Sequence, residues 1–330
     1  MSAARATAEL LVDRGAAAES EEFFRSRPFL DAEGVTHTLR IEAGESELLT
    51  PLIVREIPGG GGIDAISPYG YPGLTHSTER GRGLVRNGGQ TSTALGGTAV
   101  DPGAIDFSAT GLVSLFIRHT LDEPPLAAAA ERSVVQIADP ELPPKSRSSD
   151  RNRINRNRRD GYEVELLPGR DTGAEQRAGF LAAYEQTMRR AGAAERYFFG
   201  AAYFDRILES DSAWLALAHA PGGGVAAASI AVSSDGFLHY YLSGSADAQL
   251  RDSPMKNVVA AIVEFSAEQG LPLNLGGGLA RGDALEEFKR GFANREQPWH
   301  TSEIVCDRKA YVRLSRGRPA PGFFPAYRAS

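Results

Sequence analysis

The sequence predicts an α/β protein built on a mixed sheet. Three observations point there. Helical and strand-like runs alternate along residues 172–306, glycine and proline turns separate the strand-like runs, and one helix, Pro254–Glu268, has a clear apolar stripe. That stripe is Met255, Val258, Val259, Ile262 and Val263, at i, i+3, i+4, i+7 and i+8, the spacing of a helix laid on a sheet.

Residues 1–27 read as a weak acidic helix and lead-in. Thr38–Ile41 and Leu52–Val54 read as paired strands, and Pro58–Gly62 must be loop. The run from Ile63 to Gly73 sets aromatic rings among turn residues, and 75–105 is a polar, glycine-rich excursion. Leu112–Arg118 and Ser133–Ile137 are strands. Pro143-Pro144 then opens a basic helix that crosses into the second half.

In that half, Thr172–Ala191 and Tyr203–Leu208 are expected helices, with Phe180, Tyr184 and Met188 on one face. Trp214–His219, Val225–Ser233 and Phe237–Leu242 are strands. Ser253 is expected to cap the helix that follows, with Pro254 at its first position and Gly270 past its end. A strand (Leu271–Leu275), a triple glycine, a helix (Ala284–Phe292) and a last strand (Thr301–Cys306) complete the order.

At 330 residues the chain is long enough for two domains, and 42% hydrophobic with 24% charged residues excludes global disorder. No apolar run is long enough for a membrane span, and the N-terminus lacks the apolar core of a secretory signal. The single cysteine, Cys306, excludes an internal disulfide framework and a cysteine-built zinc site; it reads as a structural residue of an apolar strand. A cytoplasmic protein is expected.

The net charge of −6 is unevenly spread. Between Lys145 and Arg159 seven basic residues stand against Asp150 alone, a local excess of six positive charges that leaves the remainder twelve negative. A basic stripe on an acidic body suggests a local polyanion contact.

Several chemistries fail on their motifs. Gly276-Gly277-Gly278-Leu279-Ala280-Arg281 follows a strand, but a dinucleotide fingerprint needs glycine where Arg281 stands. No phosphate loop of the G-x-x-x-x-G-K-[ST] kind occurs, nor a G-x-S-x-G elbow. The six histidines include no i+3 or i+4 pair that could build a helical metal site.

The order of residues 172–306 resembles the GNAT acyltransferase fold. That resemblance implies a helix whose first amides face the pyrophosphate of coenzyme A, since free N–H groups and the helix dipole favour an anion. At that place this chain has Arg251-Asp252-Ser253-Pro254-Met255-Lys256, with proline where the family motif has glycine and Asp252 adding repulsion. Three stretches sharpen the likeness to the Fem-type branch of the superfamily. They are Asp64–Gly73 with Val113–His119, the basic segment Lys145–Gly161, and Leu275-Gly276-Gly277-Gly278 through Phe288-Lys289-Arg290-Gly291-Phe292.

The resemblance implies two tandem GNAT-like halves, mixed sheets flanked by helices, with a substrate groove between them. The halves would be 28–144 and 162–310, joined by a basic helix at 145–161, with a C-terminal tail (311–330) returning to the first half. It also implies transfer of an amino acid from aminoacyl-tRNA to an amine of a peptide or small molecule, with no bound cofactor. The long coiled-coil insertion of the larger peptidoglycan members is absent, which leaves the acceptor open.

On the expected helix Ala284–Phe292, Leu285, Phe288 and Phe292 form a buried stripe with Lys289 at its edge. The family parallel makes Phe288 and Lys289 catalytic, Lys289 facing the oxyanion on the ester carbonyl or the terminal ribose of the tRNA; otherwise Lys289 is a snorkelling surface lysine. Tyr69 and Tyr71 would line the acceptor groove, and Arg118 would grip an anionic group. Alternation puts His239 and Tyr241 on one strand face, and Gly276, Gly277 and Gly278 would let substrate approach the backbone. Arg151, Arg153, Arg156 and Arg158 would contact the tRNA backbone. Asp64, Asp106, Asp283 and His239 all remain open as the general base. Two other readings stand beside the aminoacyl one: an acyl-CoA-dependent N-acyltransferase, and a GNAT-like protein that binds a ligand without turnover.

Overall fold

A computed structural model describes residues 6–77, 99–316 and 322–329. Most of the expected excursion at 75–105 lies outside the described residues, as do residues 1–5 of the lead-in and 317–321 of the tail. The chain forms two compact units, Met1–Arg132 with Trp299–Ser330, and Ser133–Pro298.

The first unit begins with β1 (Ala6–Leu11), α1 (Arg27–Ala32), β2 (His37–Ala43), β3 (Ser46–Glu56), β4 (Ile63–Ile66), the two-residue β5 (Thr75–His76) and β6 (Ile105–Asp106), and β7 (Leu112–Arg118). Its strands lie in the order β6-β1-β2-β3-β4-β7, with β5 against β3; β1–β6 and β4–β7 are parallel and the others antiparallel. The expected acidic helix at the N-terminus is a strand instead. Helix-forming residues in Ala6–Leu11 pair with β2 from Thr7↔Glu42 to Leu11↔Thr38, and Ala6 and Ala8 are buried with Leu39 and Ile41. Burial on a sheet outweighs local helix propensity here.

The second unit holds most of β8 (Ala130–Ala138), then α2 (Ser148–Arg159), β9 (Glu163–Pro168), α3 (Ala174–Arg190), α4 (Ala201–Ile207), β10 (Ala213–His219), β11 (Val225–Ser234), β12 (Phe237–Ser245), α5 (Met255–Gln269), β13 (Leu273–Gly276) and α6 (Ala284–Arg290). Its sheet runs β8-β13-β12-β11-β10-β9, antiparallel except at β12–β13. The expected division at 144/145, with a separate linking helix, differs from this one. From Ser133 onward β8 belongs with β13, and α2 packs on α5 within the same unit.

Val258, Val259 and Ile262 of α5 pack on Ala216, Ala218, Ala227 and Ala231. Small side chains on β10 and β11 let that helix lie close to the sheet. On α3, Phe180 and Tyr184 meet Phe204 of α4. Contrary to the expected cap, Ser253 sits in the left-handed region at φ 52°, makes no capping bond, and α5 starts after Pro254. Gly270 ends the helix at φ 60°, as its position suggested.

The chain then returns to the first unit through β14 (Arg295–Val305) and α7 (Arg308–Ser315), a helix the sequence reading did not foresee. β14 pairs with β7 from Thr301↔Arg118 to Val305↔Ser114, so the last strand is longer than expected and stops short of Cys306. Beyond α7, Arg328 Nε and Nη2 and Tyr327 Oη donate to the fully buried Asp64 carboxylate at 2.5, 3.0 and 3.0 Å, and Arg55 Nε donates to it at 2.9 Å.

Candidate active site

The candidate site grows from the end of β13. Strand pairing stops at Gly276, which has φ +76°, a conformation that favours glycine. A Cβ there would stand 3.1 Å from Lys289 Nζ, and one on Gly277 would stand 2.9 Å from the carbonyl oxygen of Val134. Gly276 and Gly277 therefore let the backbone thread between β8 and the side chain of Lys289, while a Cβ on Gly278 would stand within 3.0 Å of Asp283 Oδ1.

Asp283 organises the loop that follows. Its carboxylate caps α6 by accepting from Glu286 N at 2.7 Å, and it also accepts from Leu279 N at 2.6 Å and Ala280 N at 3.0 Å. Those amides hold its pKa below the usual carboxylate range. Fully committed as a cap, Asp283 is not poised as a proton acceptor.

On α6 the expected stripe is corrected. Leu285 is 40% exposed, whereas Glu286 and Lys289 are buried and Phe288 is partly buried beside Phe292, their ring centroids 5.6 Å apart. Glu286 faces inward because its carboxylate is satisfied by Gly282 N at 2.9 Å and by Arg290 Nη2 at 2.5 Å. Lys289 is only 8% exposed, so it is not a snorkelling surface lysine. Its Nζ donates to the carbonyl oxygen of Gly277 at 2.6 Å. Burial pushes its pKa down to about 8, opposed by the charge of Asp283. An ammonium in such a place is a strong electrostatic resource and titrates within reach of neutral pH.

His239 does not open toward a ligand. It is 2% exposed, its Nε2 donates to Ser234 O at 3.2 Å, and its Nδ1 accepts from Asn274 Nδ2 at 3.0 Å. Burial pushes its pKa down to about 4, so the ring is neutral. Asn274 was not singled out from the sequence. Its Oδ1 accepts from Gly276 N at 2.8 Å, joining His239 to the glycine turn. Tyr241 is the bulged residue opposite Ile230 and Ala231; its hydroxyl lies 2.8 Å from that of Tyr203, which stacks on Phe199.

Helix α2 is held on α5 by polar contacts. Asp150, Ile154 and Asn157 form its buried face. Asp150 accepts from Lys256 Nζ at 2.6 Å, and Asn157 Nδ2 donates to Asn257 Oδ1 and to Asp252 O at 2.8 and 2.9 Å. Among the arginines assigned to tRNA, Arg153, Arg156 and Arg158 already face Asp252, Asp160 and Glu264 at 3.9, 3.4 and 3.5 Å. Arg151 and Arg159 are exposed, and no carboxylate pairs with them among the described residues.

The start of α5 has few amides to offer. Ser253 N donates to Leu250 O, Lys256 N to Ser253 O and Asn257 N to Pro254 O, while Pro254 has no N–H. Asp252 accepts from Tyr162 Oη at 2.8 Å and stays partly exposed at the same place.

The remaining sequence-assigned residues belong to the first unit. Arg118 donates to the carbonyl oxygen of Ser67 at 2.6 Å and lies over the ring of Phe116. Tyr71 packs edge-on against Phe24 and Trp299, and Tyr69 N donates to Glu33 at 2.8 Å. Of the other candidates for a base, Asp64 is consumed by Arg55 and Arg328, and Asp106 accepts from Ser108 N. Among the described residues no group of acidic, histidine or cysteine side chains could hold a metal, and no helix is long and apolar enough to cross a membrane.

An α/β unit with this strand order, a close-packed α5 and a glycine turn feeding a short helix has the GNAT type of fold. Residues 144–290 match the family described as an acetyltransferase (GNAT) domain. Among solved structures the chain is similar to FemX, at 10% identity, covering 84% of this chain and 89% of that one with a TM-score of 0.54. It also matches the C-terminal domain of an Agrobacterium fabrum protein assigned as a lysylphosphatidylglycerol synthetase. That match has 18% identity, covers 62% and 71% of the two chains, and has a TM-score of 0.45. A tandem GNAT protein from the clavulanic acid biosynthesis pathway matches at 12% identity over 81% and 82%, with a TM-score of 0.38. No curated protein matches the sequence. The likeness to FemX is one of fold.

Proposed function

We propose that the protein is an acyltransferase of the Fem type, moving an amino acid from aminoacyl-tRNA to the amine of a peptide or small molecule. The observation that carries the choice of donor is the start of α5. A coenzyme A pyrophosphate needs several free amides and no competing anion. Here the amides of Ser253, Lys256 and Asn257 are spent within the turn, Pro254 has none, and the partly exposed carboxylate of Asp252 directly precedes Ser253 in sequence. The exposed basic face of α2 favours a polyanionic donor instead.

In this reading the acceptor's free amine attacks the ester carbonyl carbon of the charged tRNA. Two electrons move onto the carbonyl oxygen, and the ammonium of Lys289 faces the resulting oxyanion. One of its N–H groups is used by Gly277, which fixes the head and leaves two for the ligand. Collapse of the intermediate breaks the bond to the ribose oxygen, the amine loses a proton, and the tRNA leaves with its hydroxyl restored. The ester is already activated, so positioning and charge suffice without a covalent enzyme intermediate.

The test is incubation of the purified protein with charged tRNA and a panel of amines, read by mass spectrometry of the acceptor. An amide product that needs the charged tRNA supports the proposal. Product formed only with acyl-CoA overturns it.

A further inference from the structure

We infer that Asn274 is a positioning residue which sets the location of the Lys289 head by fixing the Gly276–Gly277 backbone, with His239 fixing Asn274 in turn. The inference rests on the assignment of Lys289 to the reaction, and it names a residue that reaches the substrate only through others. The chain of contacts is continuous. Ser234 O accepts from His239 Nε2, His239 Nδ1 accepts from Asn274 Nδ2, Asn274 Oδ1 accepts from Gly276 N, and Gly277 O accepts from Lys289 Nζ.

Each link admits one polarity. Because Ser234 O can only accept, His239 must carry its proton on Nε2 and present a lone pair at Nδ1. That lone pair needs a donor, which obliges Asn274 to turn its NH2 toward the ring and its carbonyl toward Gly276 N. The reversed amide would set two acceptors against each other at His239 and two donors at Gly276. With Asn274 1% exposed and His239 2% exposed, no water compensates such a mismatch.

The consequence falls on the turn. Strand pairing ends at Gly276, and Leu275 is passed over between Asn274↔Ile137 and Gly276↔Gln136. The side chain of Asn274 therefore supplies the acceptor that holds Gly276 N at this irregularity. One residue further, the carbonyl of Gly277 is the anchor for the ammonium. An apolar residue of similar size at 274 would fill the volume and leave the turn unanchored. Asn274 is thus distinguished by its acceptor atom.

The experiment compares Asn274→Ala with Asn274→Ser, which differ by one oxygen able to accept from the amide two residues on. Competitive labelling of Lys289 with an amine reagent across pH, on the whole protein without substrate, reads the midpoint of that lysine. Asn274→Ala should move the midpoint up from about 8, by about one pH unit toward the free-lysine value as the head loosens into water. Asn274→Ser should hold it near the wild-type position. In turnover, Asn274→Ala should lower kcat about tenfold with donor KM little changed, and Asn274→Ser should recover most of the loss. If Asn274→Ala does not fold, Asn274→Val against Asn274→Thr carries the same one-oxygen comparison. Equal midpoints within either pair overturn the inference, whatever happens to activity. A midpoint that moves in a protein with no aminoacyl transfer supports the positioning role and overturns only the assigned reaction.

Discussion

Lys289 Nζ lies 2.6 Å from the carbonyl oxygen of Gly277, a contact across a separation of twelve residues that joins the last turn of α6 to the end of β13. It places a buried cation beside a backbone stretch without side chains, where the space a Cβ would take is filled by Lys289, Val134 of β8 and Asp283.

The first prediction concerns the charge of that cation. Lys289→Met keeps most of the stem's packing and removes the ammonium. Loss of one oxyanion donor should lower kcat by about 10²–10³, with donor KM changing far less. A lysine that only anchors tRNA would show the opposite split, weaker donor binding with kcat intact at saturation. Single-turnover kinetics on the variant separates the two.

A second prediction follows from the Lys289 pKa of about 8. The ammonium is present below that value and lost as pH rises through it. Turnover should therefore rise with pH while the acceptor amine deprotonates, then fall above about 8. In Lys289→Met the falling limb should vanish. A falling limb that persists in the variant would assign it to another group.

Donor binding should depend on salt through α2. Arg151→Glu and Arg159→Glu should each flatten the slope of log affinity against log salt by about one unit or less. The same reversal at Arg156 should do less, since Asp160 already faces it at 3.4 Å. Filter binding of charged tRNA across a salt series measures all three. Acetyl-CoA, by contrast, should give no micromolar binding heat in calorimetry.

Stability should fall with acid before the carboxylates titrate. His119 and His239 are buried and neutral, each with its pKa lowered to about 4 from 6.5 by burial. An unfolded chain binds more protons than the folded one between those values, so stability is full above about 6.5 and is lost as pH falls toward 4. Each ring contributes about 3 kcal/mol across that window, on the basis of ~1.4 kcal/mol per unit. His119→Asn should make denaturation midpoints between pH 6.5 and 4 visibly less pH-dependent.

Removal of Arg328 should weaken the first unit. Arg328→Met deletes two charge-assisted bonds to buried Asp64 and leaves Arg55 and Tyr327 to hold it. A loss of about 1.5–3 kcal/mol is expected from chemical denaturation. An unchanged midpoint would mean that solvent replaces the guanidinium without cost.

Much of the second unit was legible in the sequence because its signals are local. The stripe on α5, the glycine after it and the basic run of α2 each need only neighbouring residues to be read. β1 was not legible, since Ala6–Leu11 favours a helix in isolation and becomes a strand only against β2. Ser253 had the chemistry of a cap, but the turn that ends at Pro254 takes it into the left-handed region. Within the site, Lys289 was visible from its spacing and its family parallel, while its burial was not. Asn274 left no trace, because its meaning depends on His239 arriving from a different strand.

The order in which the residues of the first unit are made has a consequence for biosynthesis. Its sheet requires the Thr301–Val305 part of β14, which a ribosome delivers only after the whole of Ser133–Pro298. The inserted unit has all its strands in hand at that moment and can settle first. Until residues 301–305 emerge, β7 has no partner along its β14 edge, and the hydrogen-bonding groups of that edge stay open to any passing strand. A chain halted when residue 298 has left the ribosome, with 301–305 still inside it, would thus have one finished half and one adhesive edge.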